Sequence, residues 1–253
     1  SSDVCSSDLP TLVLVHTFPL GARMWTEQRS AFRGWTVLTP SLPGFDGTPI
    51  GPGTMEAFAS RVHEFLDEHG VERAVIGGLS LGGYVTFAML RQRPERALGL
   101  ILADTRCTPD APEGRDARLR MIDVVESRGP HGVFLSMAPG VMGATTQAAR
   151  PLVVERVRQL ILSQSKAAIE GAIRAMLDRP DSTDLLGAIR VPTLILVGDQ
   201  DIMTPPSDAE RMHAGIRGSE LVVLSGAGHL SNMETPYAFN AAVSAFLSTL
   251  PAE

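Results

Sequence analysis

Lysine is almost absent from this chain: Lys166 is the only one in 253 residues. Schiff-base chemistry and the lysine of a phosphate-binding P-loop are both poorly served by that composition. Positive charge is not in excess either. The 22 Lys and Arg residues face 28 Asp and Glu, a net charge of −6 that offers no basic patch for nucleic acid or an anionic membrane surface. Cysteine is confined to Cys5 and Cys107, too few and too distant for a disulfide framework or a cysteine-rich metal site. A reduced, cytoplasmic protein is the default expectation. No uninterrupted apolar stretch approaches the roughly 20 residues that span a bilayer.

What the chain does have is apolar content, 44% of its residues, enough for one sizeable α/β core and short for two independent domains. Residues 1–9 stand apart. They carry a near-repeat (Ser1-Ser2-Asp3-Val4, Ser6-Ser7-Asp8-Leu9), with neither the charged start nor the apolar centre of a signal peptide. They resemble a sequencing or cloning scar joined to a truncated gene, so a missing native start is expected.

From Thr11 onward, short apolar runs alternate with amphipathic stretches. Thr11–His16, Thr36–Thr39, Ala74–Gly78 and Ala97–Ala103 read as strands. Ala22–Phe32 and Leu81–Gln92 read as helices, and Thr54 caps a third that runs to Glu68. Ser41–Gly53 is a loop rich in Pro and Gly. Between Thr105 and Ile189 no strong strand is visible. Helical patterns over Arg115–Glu126, Gly132–Met137, Gln147–Ser163 and Lys166–Leu177 are followed by a turn at Asp184–Ile189. Strands then return at Pro192–Val197 and Glu220–Leu224, with helices at Pro206–Ile216 and Pro236–Leu250. This alternation predicts a parallel sheet flanked by helices. Residues 10–105 and 190–253 would form the α/β core, and residues 106–189 a helical cap, or lid, over the sheet's C-terminal edge.

One segment carries chemistry on its face. Gly78-Leu79-Ser80-Leu81-Gly82 lies between an apolar run and a helical pattern, so its serine sits on a tight strand-to-helix turn. Small flanking residues let the backbone reverse there. The serine Oγ is left exposed, and the next N–H points outward from a helix start, where negative charge is stabilised. An ordinary glycine-rich turn would read the same in isolation. The segment lacks the Lys-Ser/Thr of a P-loop and the G-x-G-x-x-G spacing of a dinucleotide site.

Three further polar features fall at the C-terminal ends of strands, where parallel sheets place their ligands. Asp201 lies in Gly198-Asp199-Gln200-Asp201-Ile202-Met203-Thr204-Pro205, His229 in Gly226-Ala227-Gly228-His229, and Phe18 in His16-Thr17-Phe18-Pro19-Leu20. For the acidic member, Asp199 and Asp104 are alternatives; Asp201 fits the register G-x-x-D-x-x-x-P from Gly198 to Pro205.

Taken together, H-x-F-P-L, G-L-S-L-G-G, G-D-x-D-x-x-x-P and G-A-G-H make Thr11 to Leu250 resemble the α/β-hydrolase superfamily. Within it the chain is similar to the cap-bearing esterases and lactonases of the 3-oxoadipate enol-lactonase kind. The resemblance implies an α/β-hydrolase fold with one or two additional N-terminal strands, whose loss would leave the next strand's ladder partly unpaired. It implies a cofactor-independent, metal-free serine hydrolase with Ser80 as nucleophile, His229 as base and Asp201 as acid. The backbone N–H groups of Phe18 and Leu81 would form the oxyanion hole, and His16 would brace their loop. A small to medium carboxylic ester or lactone is the implied substrate. Thioesterase, C–C bond hydrolase and perhydrolase activities share the same machinery, and a slow or non-catalytic binding protein is the rival of another class. Thr17 departs from the family's usual glycine; a β-branched residue tolerates positive φ poorly, so a somewhat different loop is expected there. Cys107 reads as a buried, inert thiol. Trp25, Met137 and Met142 read equally well as acyl-pocket lining or core.

Overall fold

A computed structural model describes residues 9–250; the expectation that residues 1–9 are a scar falls, apart from Leu9, outside the described residues. Among these, six strands form one sheet: β1 (Thr11–Val15), β2 (Thr36–Leu38), β3 (Ala74–Leu79), β4 (Ala97–Ala103), β5 (Thr193–Gly198) and β6 (Glu220–Leu224). Every pairing is parallel, in the order β2-β1-β3-β4-β5-β6. β1, β3 and β5 are buried along their whole length, as their continuously apolar sequences require. β1 pairs on both sides, with Thr11 opposite Thr36 and Leu12 opposite Val75. Among the described residues, the sheet edge therefore falls on half-buried β2 rather than on β1.

Among the described residues, ten helices accompany the sheet: α1 (Met55–Glu68), α2 (Leu81–Gln92), α3 (Pro112–Val141), α4 (Ala144–Ala149), α5 (Pro151–Leu162), α6 (Lys166–Leu177), α7 (Thr183–Leu186), α8 (Pro206–Gly215), α9 (Ser231–Glu234) and α10 (Pro236–Thr249). Helix α1 starts where its cap was expected, the Thr54 side chain accepting from the Ala57 N–H. α1 packs on α2, while α8 and α10 both pack on β5 and β6. Five of the helices, α3 to α7, lie between β4 and β5.

Two expectations about helices change. Ala22–Phe32 is not an α-helix: only a 3-10 turn, Ala22–Trp25, forms there, and irregular turns follow. The Gln28 side chain explains the departure, because it is buried and hydrogen-bonds across to Asn232 O and Asn240 Oδ1 instead of lying on a solvated helix face. Gln147–Ser163 is likewise two helices. Pro151, which cannot donate to the preceding turn, separates α4 from α5. α3 is broken in the same way at Gly129 (φ 62) before Pro130.

The segment leading into α3 is pinned by an ion cluster. Asp110 accepts from both terminal nitrogens of Arg179 at 2.9 Å each and is also bonded by Arg118. Burial alone would raise the Asp110 carboxyl, but the bonds from Arg179 and Arg118 outweigh it and hold the group far below the usual carboxylate range. Since the unfolded chain takes up that proton first, this stabilisation is present above about pH 4 and is lost as pH falls. Asp110→Ala, which strands a buried guanidinium, is expected to cost about 3–5 kcal/mol in urea unfolding at neutral pH, with a smaller loss at acid pH.

Candidate active site

The strand order makes a switch point between β1 and β3: the chain leaves β1 for β2 on one side and returns to β3 on the other. Phe18 follows β1 and Ser80 follows β3, so both sit at that crevice.

Ser80 has φ 54 and ψ −110, a strained backbone that few non-glycine residues adopt. The surrounding glycines are required by contact. A Cβ on Gly78 would lie 2.1 Å from Gly82 O, and one on Gly82 would lie 2.1 Å from Val15 O. The turn is held by Ser80 N–H donating to Ala103 O at 2.9 Å, and by Ser80 O accepting from Gly83 N, Tyr84 N and the Thr105 hydroxyl. With its backbone so committed, only the side chain is left to engage a partner.

That partner is His229. Its Nε2 lies 2.8 Å from Ser80 Oγ, and its Nδ1 lies 2.8 Å from Asp201 Oδ2. Asp201 in turn accepts from the N–H groups of Met203 and Thr204 and from the Thr204 hydroxyl. Burial pushes the Asp201 carboxyl up, yet the His229 charge and these hydrogen bonds outweigh it and hold the group below its ordinary value. An ionised Asp201 accepts the Nδ1 proton, which leaves Nε2 free to accept from the serine hydroxyl. All three side chains are buried, Ser80 being 9% exposed and the other two 2%.

The alternative acids lie elsewhere. Asp199 accepts from the Gly226 N–H. Asp104 is fully buried at the end of β4, with its oxygens on Gly198 N, Ser231 N and the Ser231 hydroxyl. Burial, and next the charge of Asp201, hold Asp104 well above the carboxylate range. Two neighbouring carboxyls are thus driven apart, and the ionised one faces the histidine.

Neither the Phe18 nor the Leu81 N–H donates to a protein acceptor among the described residues. Thr17 follows β1 in the loop that leads to Phe18. Its φ is not positive, so its β-branch meets no penalty, and its N–H donates to Met24 Sδ at 3.2 Å. His16 is fully buried, its Nε2 accepting from Leu42 N–H and its Nδ1 donating to Thr17 O. Burial keeps it below the usual histidine range, so it fastens this loop as a neutral ring. Of the other histidines, His63 bonds Met89 O, His69 bonds Phe65 O and His213 bonds Ser219 Oγ. Cys107 is buried and its thiol is raised, chiefly by burial. Trp25 packs against Phe239, with ring centroids 6.0 Å apart, which places it in the core beside α10. Among the described residues, no group of three His, Cys, Asp or Glu side chains could hold a metal ion, and no helix is long and apolar enough to cross a membrane.

Sequence reasoning passed over several participants. Thr204 bonds Asp201 and lies beside His229, with its hydroxyl 3.1 Å from Nδ1. Glu234 is a buried carboxylate whose only sequence signal is its place five residues after His229. Gln164 ties the α5–α6 junction to the loop after β1, through Leu20 O, and to the loop after β2, through Asp46.

Fold and site together define an α/β hydrolase. The α/β hydrolase fold family model matches residues 10–236, and the chain belongs to that family. A solved thermophilic esterase from Thermogutta terrifontis is 40% identical, with a TM-score of 0.91 over 95% of this chain and 90% of that one. The 3-oxoadipate enol-lactonase 2 of Acinetobacter baylyi is 27% identical over 95% of this chain and 90% of its own length. A pimeloyl-[acyl-carrier protein] methyl ester esterase of Neisseria meningitidis is 29% identical over 82% of this chain and 81% of its own. These relatives are of esterase and lactonase type.

Proposed function

We propose that the chain is a serine hydrolase that cleaves a small to medium carboxylic ester or lactone through an acyl-enzyme. One observation carries the reading: the unbroken line from Ser80 Oγ through both His229 nitrogens to Asp201, with each link at 2.8 Å. His229 Nε2 takes the hydroxyl proton as Oγ attacks the carbonyl carbon, and the C=O electron pair moves to the oxygen. The N–H groups of Phe18 and Leu81, free of protein acceptors, receive that oxyanion. His229 then returns the proton to the departing alkoxide. A water molecule, deprotonated by His229, attacks the acyl carbon and releases the acid, and Ser80 regains its proton. Asp201 holds the Nδ1–H tautomer and offsets the imidazolium charge. The ester and lactone relatives support the substrate class. Residues 106–189, which supply α3 to α7, act as the cap that governs what reaches Ser80.

A fluorophosphonate probe tests this without knowledge of the natural substrate. The expected result is a single adduct, located on Ser80 by mass spectrometry, together with turnover of p-nitrophenyl esters across a series of acyl lengths. A folded sample that takes up no probe would point instead to a non-catalytic binding protein.

A further inference from the structure

We propose that Glu234 is a positioning residue for His229, tying the histidine's loop to the backbone of the helices between β4 and β5. The proposal rests on the serine hydrolase reading above. Glu234 is 2% exposed, and both of its carboxylate oxygens accept from backbone. Oε1 takes the N–H of Leu230, the residue that follows His229, at 3.0 Å. Oε2 takes the N–H of Gly143, at the junction of α3 and α4, at 2.8 Å. One side chain thus bridges two segments 91 residues apart in sequence.

The two backbones meet with nothing between them. A Cβ on Gly228 would lie 2.1 Å from Gly143 N, and one on Gly143 would lie 2.8 Å from Gly228 N. The same junction reaches the acid's loop, because Gln200, next to Asp201, exchanges two bonds with Thr145: 2.9 Å from the Thr145 N–H and 2.7 Å to its hydroxyl. The other polar residues of α9 face different neighbours: Ser231 bonds Asp104 and Asn232 donates to Met24 O. Among the described residues, Glu234 is the α9 side chain that joins this turn to the helical segment, from which Arg150 also donates to the Glu234 backbone carbonyl. Its chemistry suits the task. A carboxylate accepts from two N–H groups at once through charge-assisted bonds, whereas an amide would set its own NH₂ against one of them. Any shift of the Gly143 junction is therefore passed to the loop that aims Nε2 at Ser80.

The experiment compares wild type, Glu234→Gln and Gly143→Ala, each below its own melting midpoint. Gly143→Ala keeps the carboxylate but wedges a methyl group against Gly228 N and Gln200 Oε1, so it reads the same tie if Glu234→Gln fails to fold. Misplacing a proton-transfer group by a fraction of an ångström is costly, so kcat is expected to fall about tenfold or more in Glu234→Gln, with KM changed less than about twofold. The rate of fluorophosphonate labelling at Ser80 should fall in parallel, and Glu234→Leu should be worse than Glu234→Gln. A folded variant labelled at the wild-type rate, whatever its melting temperature, overturns the positioning role. Wild type that fails to label at Ser80 overturns the hydrolase reading itself, and the positioning role with it.

Discussion

Ser80→Ala is expected to lower kcat for p-nitrophenyl butyrate by about 10⁶-fold, the scale on which removing a nucleophile from a serine triad acts. The loss follows from how little else is in reach. Among the described residues, His229 Nε2 has the Ser80 hydroxyl as its one hydrogen-bond partner, so no second side chain there inherits the attack. The variant should nevertheless fold. The backbone of Ser80 is held by Ala103 O, Gly83 N, Tyr84 N and the Thr105 hydroxyl, none of which involves Oγ. Circular dichroism should be unchanged and the melting temperature equal or slightly higher, as is common when a strained functional group is removed. Full activity in a folded Ser80→Ala protein would end the nucleophile assignment.

Asp201→Asn comes next, at about 10⁴-fold in kcat, because the asparagine NH₂ facing Nδ1 favours the opposite tautomer. The proton then sits on Nε2, where it blocks the acceptor that Ser80 needs. Asp104 is not expected to rescue the variant. Its oxygens are engaged by Gly198 N and by Ser231, and neither approaches His229 within hydrogen-bond distance. The paired control is Asp104→Asn, which should change kcat far less. Equal losses in the two variants would mean that the acid had been placed on the wrong strand.

Much of this was legible before any coordinates, for reasons that differ by element. β1 and β4 show in the sequence because strands buried on both faces read as unbroken apolar runs, and α2 shows because its glycine-rich start and Pro94 mark both ends. The Ser80 turn shows because sterics allow so few residues beside it: the carbonyl oxygens of Val15 and Gly82 leave no room for a side chain. What stayed hidden is held by long-range polar contact. Nothing local to Ala22–Phe32 says that Gln28 will turn inward to Asn232 and Asn240, more than 200 residues away. Nothing local to Thr17 says that its backbone avoids positive φ, or that Met24 accepts its N–H. Choosing Asp201 over Asp104 was a matter of register along the chain. The geometry adds a physical ground, since only the Asp201 carboxylate touches the imidazole.

The contact of Gly82 with Val15 O has a use beyond shaping a turn. It welds the start of α2 to the end of β1, so the two N–H groups offered by Leu81 and Phe18 belong to one rigid block. That weld lies within the core, and from residues 106–189 Gln164 also reaches the loop after β1, through Leu20 O. Laboratory selection for new substrates is expected to tolerate changes on the apolar faces of α3, α5 and α6 while the proposed oxyanion donors stay in register. The positions to leave alone in such a library are Gly143, Thr145 and Gln164, where that segment is fastened to the machinery beneath it.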